Sequence, residues 1–559
     1  MKRRRLEMKG AWASAVVLSL GLGLAMAGAC TPVSRTFENT GGGGSGGSGG
    51  MASLCEPGTS EPCYTGTPGT EDVGACKKGT HLCLPTGDGY GECVGEVLPI
   101  AEVCTTPIDE GCDGPNPVEC PSLGHVWSKS FGFMNEDVTT GVVVDPVTND
   151  IIATGYFRDT IDFGAGPMAS TGSDDVFLVR FTADGQIVWA KRFGDASAQT
   201  ARAIALDSTG AIYIAGDMAG SIDFGNGTPI MTSAGADDAF VAKFNPDGTI
   251  IWSRLFGDTN TQGAKSIAVT PTDDVIVVGT FYGFIPLTGM ELPSNNNSRD
   301  MFVIKLDPKG LDTGAKKYGS PSSDEMLDVA VDSAGASIVT GQFLDTIDFG
   351  TLGTFVSAGN SDAFVLKLGP DLAEQWVRVL GDTEAQRGHS VAVTPTDDVF
   401  VSGDFTGSIM LDDGTSITVT APDRSMYLLA LAPDGVMRWG AAAGTMMTTG
   451  AQSTLAVDPS TQSVIAAGYF SGSINFGGGF LTANMIDSFV AKMSWDGSHI
   501  ASRSFGGPLI DAFFGLDVSA NGDIFIVGGH QGPADFGGGE LPASNGQNDV
   551  QALFVRLLP

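Results

Sequence analysis

Two sets of side chains in this sequence have the types and spacing to do chemistry. Cys55, Cys63, Cys76, Cys83, Cys93, Cys104, Cys112 and Cys120 crowd into one window, leaving only Cys30 outside it. An even number of cysteines packed into a short segment predicts a disulfide framework, whose pairing spacing cannot settle. Zinc is the competing use of thiolates. The window lacks paired C-x-x-C units, and its only nearby histidines are His81 and His125, so the disulfide reading is preferred. The second set is an aspartate followed five residues later by a base: Asp175/Arg180, Asp238/Lys243, Asp300/Lys305, Asp362/Lys367 and Asp487/Lys492. Both members disappear together at Ser425 and Ala430. Residues five apart on a strand face opposite ways, so their contacts should run between sheets. A pair recurring in unit after unit reads as structural, and an exposed one contributes only about 0.2–1 kcal/mol. His389 and His530 are expected on a common side of the fold, two units apart, with no obvious nucleophile beside either. The repeats hold no G-x-S-x-G, H-E-x-x-H or P-loop, and no catalytic residue is assigned.

The elements that must position these groups repeat. VWSKSFG at 126–132 returns as VWAKRFG, IWSRLFG, TGAKKYG, QWVRVLG, RWGAAAG and IASRSFG, closing on Gly132, Gly194, Gly257, Gly319, Gly381, Gly444 and Gly506, a spacing of 62 or 63 residues. Each unit carries four strand-like runs with alternating apolar residues and tight Gly/Asp turns. A glycine ends the second run of every unit: Gly155, Gly216, Gly279, Gly341, Gly403, Gly468 and Gly528. Close approach of strands is the expected reason. Trp127, Trp189, Trp252, Trp376 and Trp439 share one repeat position and are expected between units, where an indole buries much apolar area. Four antiparallel strands repeated radially predict an all-β, seven-bladed β-propeller over residues 122–559, preceded by a small disulfide-rich module at 51–121. The strand-one-to-two and strand-three-to-four turns are short and the other connections long. One face should therefore carry all the large connections, and with them any binding residues.

Composition narrows the partners. The net charge is −34, from 64 acids against 30 bases. Such a field repels nucleic acid and anionic lipid, so neither is an expected partner. The amino terminus has a basic n-region and the apolar run Ala11–Ala29, the pattern of an export signal over residues 1–29. Residues 30–50 end in GGGGSGGSGG, a flexible tether.

Several motifs resemble known families. LAMAGAC, ending at Cys30, resembles a bacterial lipoprotein lipobox, departing from it at Ala27 where leucine is usual. The resemblance implies acylation of Cys30, and Thr31 after it implies the outer membrane; an ordinary signal peptide or uncleaved anchor is the alternative. GACKKGTHLC, GYGECVGEVLPIAEVC and DEGCDG resemble cysteine-rich modules of myxobacterial surface proteins. That family's acidic closing motif implies a metal site at Glu102, Asp109, Glu110 and Asp113, for which calcium suits the oxygen ligands. The tryptophan–glycine strands, the G-x-F step and I-D-F-G, at Asp162, Asp223, Asp348 and Asp535 with Asn475 in a fifth copy, resemble SBBP-type β-propeller repeats. This match implies fold more than activity. The expected function is a monomeric, lipid-anchored surface module that binds an envelope protein or glycan without a cofactor. A polysaccharide hydrolase or lyase with acids gathered at the central channel is the alternative.

The last unit has three strand-like runs, and the strand that VWSKSFG forms precedes the first complete unit, so the two should pair and close the ring. Deleting residues 121–133 is expected to lower the melting temperature sharply in calorimetry; an unchanged value would sink the closure.

Overall fold

A computed structural model of the chain describes residues 55–99, 112, 123–132, 135–225, 230–295, 297–419, 423–444, 452–542 and 549–559. The export signal at 1–29, the tether at 30–50 with Cys30, and Glu102, Cys104, Asp109, Glu110, Asp113 and Cys120 lie outside the described residues. The chain divides into two compact units, Met1–Glu119 and Cys120–Pro559.

In the first unit the strands Ser60–Cys63 and Gly79–Leu82 pair antiparallel. Disulfides join Cys55 to Cys83, Cys63 to Cys93 and Cys76 to Cys112. A segment this small buries too little apolar surface to hold itself together, and cross-links restrict its unfolded state instead.

The second unit is a seven-bladed propeller of four-stranded antiparallel sheets. Blade 1 runs outward through Val138–Val144, Ile151–Phe157, Asp175–Phe181 and Ile187–Phe193. The inner strands of blades 2 to 7 are Gln199–Leu206, Gln262–Val269, Glu325–Val331, Gln386–Val393, Gln452–Asp458 and Asp511–Val518. Each inner strand neighbours the next, and the last neighbours the first, so the ring is closed. Blade 7 takes its outermost strand from the start of the propeller: His125–Phe131 pairs antiparallel with Val550–Leu557. Seven apolar clusters each draw side chains from two adjacent blades, one cluster per joint.

The long second-to-third connections are not open loops. Each contains a short hairpin, for example Thr160–Ile161 with Met168–Ala169. The I-D-F-G motif builds it. Asp162 Oδ1 accepts the Gly164 and Gly166 amides at 2.7 and 3.1 Å, while Ile161 and Phe163 are buried at the joint between blades 7 and 1. Asn475 makes the same turn at 2.8 and 3.1 Å, which is why it can replace aspartate.

The joints also explain the tryptophans, which are half-buried at the short-turn face. Trp127, Trp189, Trp252, Trp376 and Trp439, on outermost strands, each lie against a turn glycine of the next blade: Gly185, Gly248, Gly310, Gly435 and Gly497. These glycines have φ between 72° and 88°, and an added Cβ would press into the indole. Trp252 and Trp376 Nε1 donate to the Pro308 and Pro433 carbonyls of the same turns at 3.1 and 3.0 Å. Where the tryptophan is missing, both partners have changed. Gly314 stands in its place in blade 3, and Leu372, at φ 62°, replaces the facing glycine and fills the space. At the closing joint Ala501 shares an apolar cluster with Leu123, at φ 65°.

The recurring aspartate and base do not touch each other. The base reaches an aspartate in the strand-one-to-two turn of its own blade: Arg180–Asp145 at 2.7 Å, Lys243–Asp207 at 2.9 Å, Lys305–Asp274 at 3.0 Å, Lys367–Asp332 at 2.8 Å and Lys492–Asp458 at 3.2 Å. It also donates across the joint, as Lys305 does to the Pro370 carbonyl at 2.8 Å and Lys367 to Pro433 at 3.2 Å. In blade 5 Ala430 leaves Asp398 without its lysine, and Arg438 from the outermost strand pairs with it at 2.5 Å. The aspartates sit at the opposite end, buried under the unit-closing glycines, where Asp238 Oδ2 accepts the Ala234 amide at 2.9 Å.

Two predictions follow from these joints. Gly314→Trp alone should destabilise, because it meets Leu372; adding Leu372→Gly should recover stability beyond the sum of the single changes. A coupling of about 0.5–3 kcal/mol in a denaturant double-mutant cycle is expected; additive effects would refute the latch. Burial pushes the carboxyls of Asp175, Asp238, Asp324 and Asp362 up to about 6 and Asp511 up to about 7. A raised carboxyl holds its proton more tightly folded than unfolded, so its contribution to stability grows as pH falls through the folded value. The melting temperature should therefore rise from about pH 8 to about pH 5. A flat or falling profile across that window would contradict it.

Candidate functional site

Seven inner strands converge on one axis, and the second strand of each blade crosses its inner strand very closely. At Gly155, Gly216, Gly279, Gly341, Gly403, Gly468 and Gly528 an added Cβ would strike the inner strand's carbonyl oxygen, for example those of Val138, Thr200 and Gly263. This bears out the close approach expected for these glycines. Immediately beside that crossing, six of the seven inner strands carry a one-residue bulge, at Thr140, Arg202, Lys265, Leu327, His389 and Phe514. A bulge leaves one residue unpaired and re-aims its side chain. Blade 6 keeps the glycine without the bulge.

The re-aimed residues, with their neighbours on the first and second strands, ring the axis at the long-connection end. The ring has two unlike arcs. Blades 2 to 5 supply charge. Arg202 pairs with Asp217, its Nη2 3.1 Å from Oδ2. Glu325 lies between two guanidiniums, that of Arg299 from blade 3 at 2.9 Å and that of Arg387 from blade 5. Asp404 receives His389 Nε2 and Arg424 Nη1, both at 2.6 Å. Burial works to raise these carboxyls, but their partners outweigh it: Arg202 for Asp217, Arg387 and Arg299 for Glu325, and His389 and Arg424 for Asp404 all hold them below the ordinary range. Blades 6, 7 and 1 supply instead Tyr469, Phe514 and Tyr156, all half-buried. The Tyr469 and Phe514 rings meet edge-on at 6.1 Å.

Below the mouth the ring is stapled. Asp328 accepts Ser266 Oγ from blade 3 and Ser390 Oγ from blade 5, each at 2.7 Å, and so ties three blades together. Asp517 does the same between blades 7 and 1 through the Val144 amide at 2.7 Å.

Of the residues picked out by sequence, His389 belongs to this mouth, although it stands on an inner strand and not on a loop. His530 does not: it is fully buried, its ring lies edge-on to Phe536, and burial brings its pKa down to about 4. Sequence reasoning passed over Arg202, Lys265, Glu325 and Arg387. The available signal was a charged residue interrupting an apolar strand, as in TARAIAL, GAKSIAV and RGHSVAV. Among the described residues no group of three or more His, Cys, Asp or Glu side chains is arranged to hold a metal ion. No helix among the described residues is long and apolar enough to cross a membrane. The disulfides fit an oxidising, extracytoplasmic environment.

No family model matches the chain. Two curated proteins are similar to parts of it. An uncharacterized WD repeat-containing protein of Acanthamoeba polyphaga mimivirus is 23% identical over 193 residues, 32% of this chain and 13% of that protein. The regulatory protein FlaEY of Caulobacter vibrioides is 24% identical over 354 residues, 57% of this chain and 35% of that protein. The chain thus spans about a third or less of the curated relatives it matches. Among solved structures, hydrazine synthase of Kuenenia stuttgartiensis gives a TM-score of 0.38 at 11% identity, covering 74% of this chain and 94% of that one. Pyrococcus horikoshii acylaminoacyl peptidase gives 0.34 at 9% identity, covering 73% and 52%. The sequence similarities and the strand pairing agree on a repeat propeller, a fold compatible with an interaction module.

Proposed function

We propose that the chain is an exported, lipid-anchored binding module whose propeller offers the long-connection mouth to an envelope protein or glycan. The two-armed mouth carries this reading: matched acids and bases on blades 2 to 5 face Tyr469, Phe514 and Tyr156 on blades 6, 7 and 1. Such a mixture supplies hydrogen-bonding groups in fixed geometry together with ring faces, which is what recognition of a polar partner requires. Support for binding over polysaccharide cleavage comes from the carboxylates of the mouth. Asp217, Glu325 and Asp404 are each engaged by cations, whereas glycoside cleavage calls for a raised carboxylic acid opposite a free carboxylate. The lipobox-like Cys30, the glycine-rich tether and the SBBP-type motifs support display of a monomeric propeller away from an outer membrane. Calcium at Glu102, Asp109, Glu110 and Asp113 of the cysteine-rich module belongs to the same proposal.

The test is capture from envelope and extracellular-matrix extract on the immobilised full chain at physiological salt. A specific protein or glycan should be retained, and Tyr469→Ala with Phe514→Ala should weaken its affinity by about tenfold or more. Lys309→Ala, an exposed turn residue on the opposite face, should leave retention unchanged. Retention that ignores the aromatic pair would refute the mouth as the binding surface.

A further inference from the structure

We infer that the mouth binds an acidic polysaccharide, with the Lys265 ammonium holding a sugar carboxylate while the aromatic arc receives sugar rings. This inference rests on the binding-module reading and adds the ligand's chemical class to it.

Most cations of the charged arc are held by a carboxylate. Arg202 has Asp217, Arg299 and Arg387 share Glu325, and His389 and Arg424 share Asp404. Lys265, re-aimed by the blade 3 bulge and half-buried, has no hydrogen bond or close ion pair among the described residues, although the Asp217 and Glu325 carboxylates, each already bonded to arginine, attract it from farther off. Placing a charge partly out of water without a partner is costly, and an anion arriving beside it recovers that cost. The surroundings make the vacancy more pronounced. The neighbouring Arg202 guanidinium, followed by burial and by Arg299, brings the Lys265 pKa down to about 8 against the upward pull of Asp217 and Glu325, so at neutral pH the ammonium persists beside positive charge. This local excess of cation stands in a chain of net charge −34, which repels anions elsewhere on its surface. A bound anion is thereby confined to the mouth.

The class of anion follows from the rest of the ring. A single lysine ammonium suits one negative charge, as a uronate carries, better than a phosphate dianion. Tyr469, Phe514 and Tyr156 offer ring faces to the C–H faces of sugars, and Asp217 and Gln342 offer acceptors to sugar hydroxyls. Gln342 itself is oriented by Glu325, its Nε2 2.9 Å from Oε2.

The experiment is isothermal titration of the full chain with polygalacturonate, its fully methyl-esterified form, dextran sulfate and poly-glutamate. Polygalacturonate should bind, and the neutral ester should bind about tenfold more weakly or worse. Lys265→Met should lose affinity to the same degree while keeping its melting temperature, because no hydrogen bond or close ion pair among the described residues is removed; Lys265→Arg should retain it. Raising the pH from about 7 to about 9 should weaken the native chain and leave Lys265→Arg unaffected, since lysine loses its proton there and arginine does not. Binding of polygalacturonate that survives Lys265→Met, or equals that of the ester, overturns the assignment of Lys265. Preference for dextran sulfate or poly-glutamate overturns the uronate class. These results would leave the mouth standing as a binding surface, whereas only insensitivity to Tyr469→Ala and Phe514→Ala removes the binding-module reading itself.

Discussion

Everything at the centre of this molecule depends on how closely a second strand can cross its inner neighbour near the axis. Seven twisted sheets converge there, and at each crossing a carbonyl oxygen of the inner strand occupies the place where a side chain of the second strand would begin. Only glycine admits it, at Gly155, Gly216, Gly279, Gly341, Gly403, Gly468 and Gly528. Six inner strands bulge immediately beside this crossing, and the bulge turns one side chain of each out of the ladder. Packing at the centre and the chemistry of the mouth therefore share one origin. The same backbone feature that lets the ring close also delivers Arg202, Lys265, His389 and Phe514 to the rim.

The periphery works by a different rule, that of exchangeable pairs. Blades splay outward, so each joint widens with radius and needs filling. The I-D-F-G hairpins do this with buried isoleucine and phenylalanine, and the tryptophans complete it at the short-turn face by lying on a glycine of the next blade. Because the contact is between two residues, the sequence drifts by changing both. Trp with Gly becomes Gly314 with Leu372, and then Ala501 with Leu123 where the ring closes. Likewise Asp398 loses its lysine to Ala430 and gains Arg438. A joint tolerates such swaps because its volume and its charge are conserved though its residues are not.

Seven-fold repetition would make a symmetric mouth if the bulge position carried one residue type, and it does not. Taking the bulge residues together with their neighbours on the first and second strands, charged side chains fall on blades 2 to 5 and aromatic ones on blades 6, 7 and 1, so the rim has a charged arc and an aromatic arc about one axis. Repetition explains the scaffold; departure from repetition marks the place where recognition is concentrated. The aspartate–base pairs, present in nearly every blade and engaged with their own turns, fall on the scaffold side of that division.

The sequence by itself determined the number of blades, the four-strand unit, the sharing of the last blade between the two ends of the propeller, and the role of the crossing glycines. These follow from periodicity and from glycine's missing side chain, both local properties. It also marked the cysteine window as a disulfide framework. Which cysteine pairs with which was decided only in three dimensions, because Cys55–Cys83, Cys63–Cys93 and Cys76–Cys112 depend on how the module folds back on itself. The mouth was beyond the sequence for a related reason. Arg202, Lys265, Glu325 and Arg387 come from four blades and read individually as polar interruptions of apolar strands. Spacing along the chain could place them in equivalent units but not beside one another. Only closure of the ring brings Arg299 and Arg387 from two blades onto Glu325 of the blade between them and leaves Lys265 without a hydrogen-bonded partner among the described residues, since Coulomb pairing depends on distance through space and not on separation along the chain.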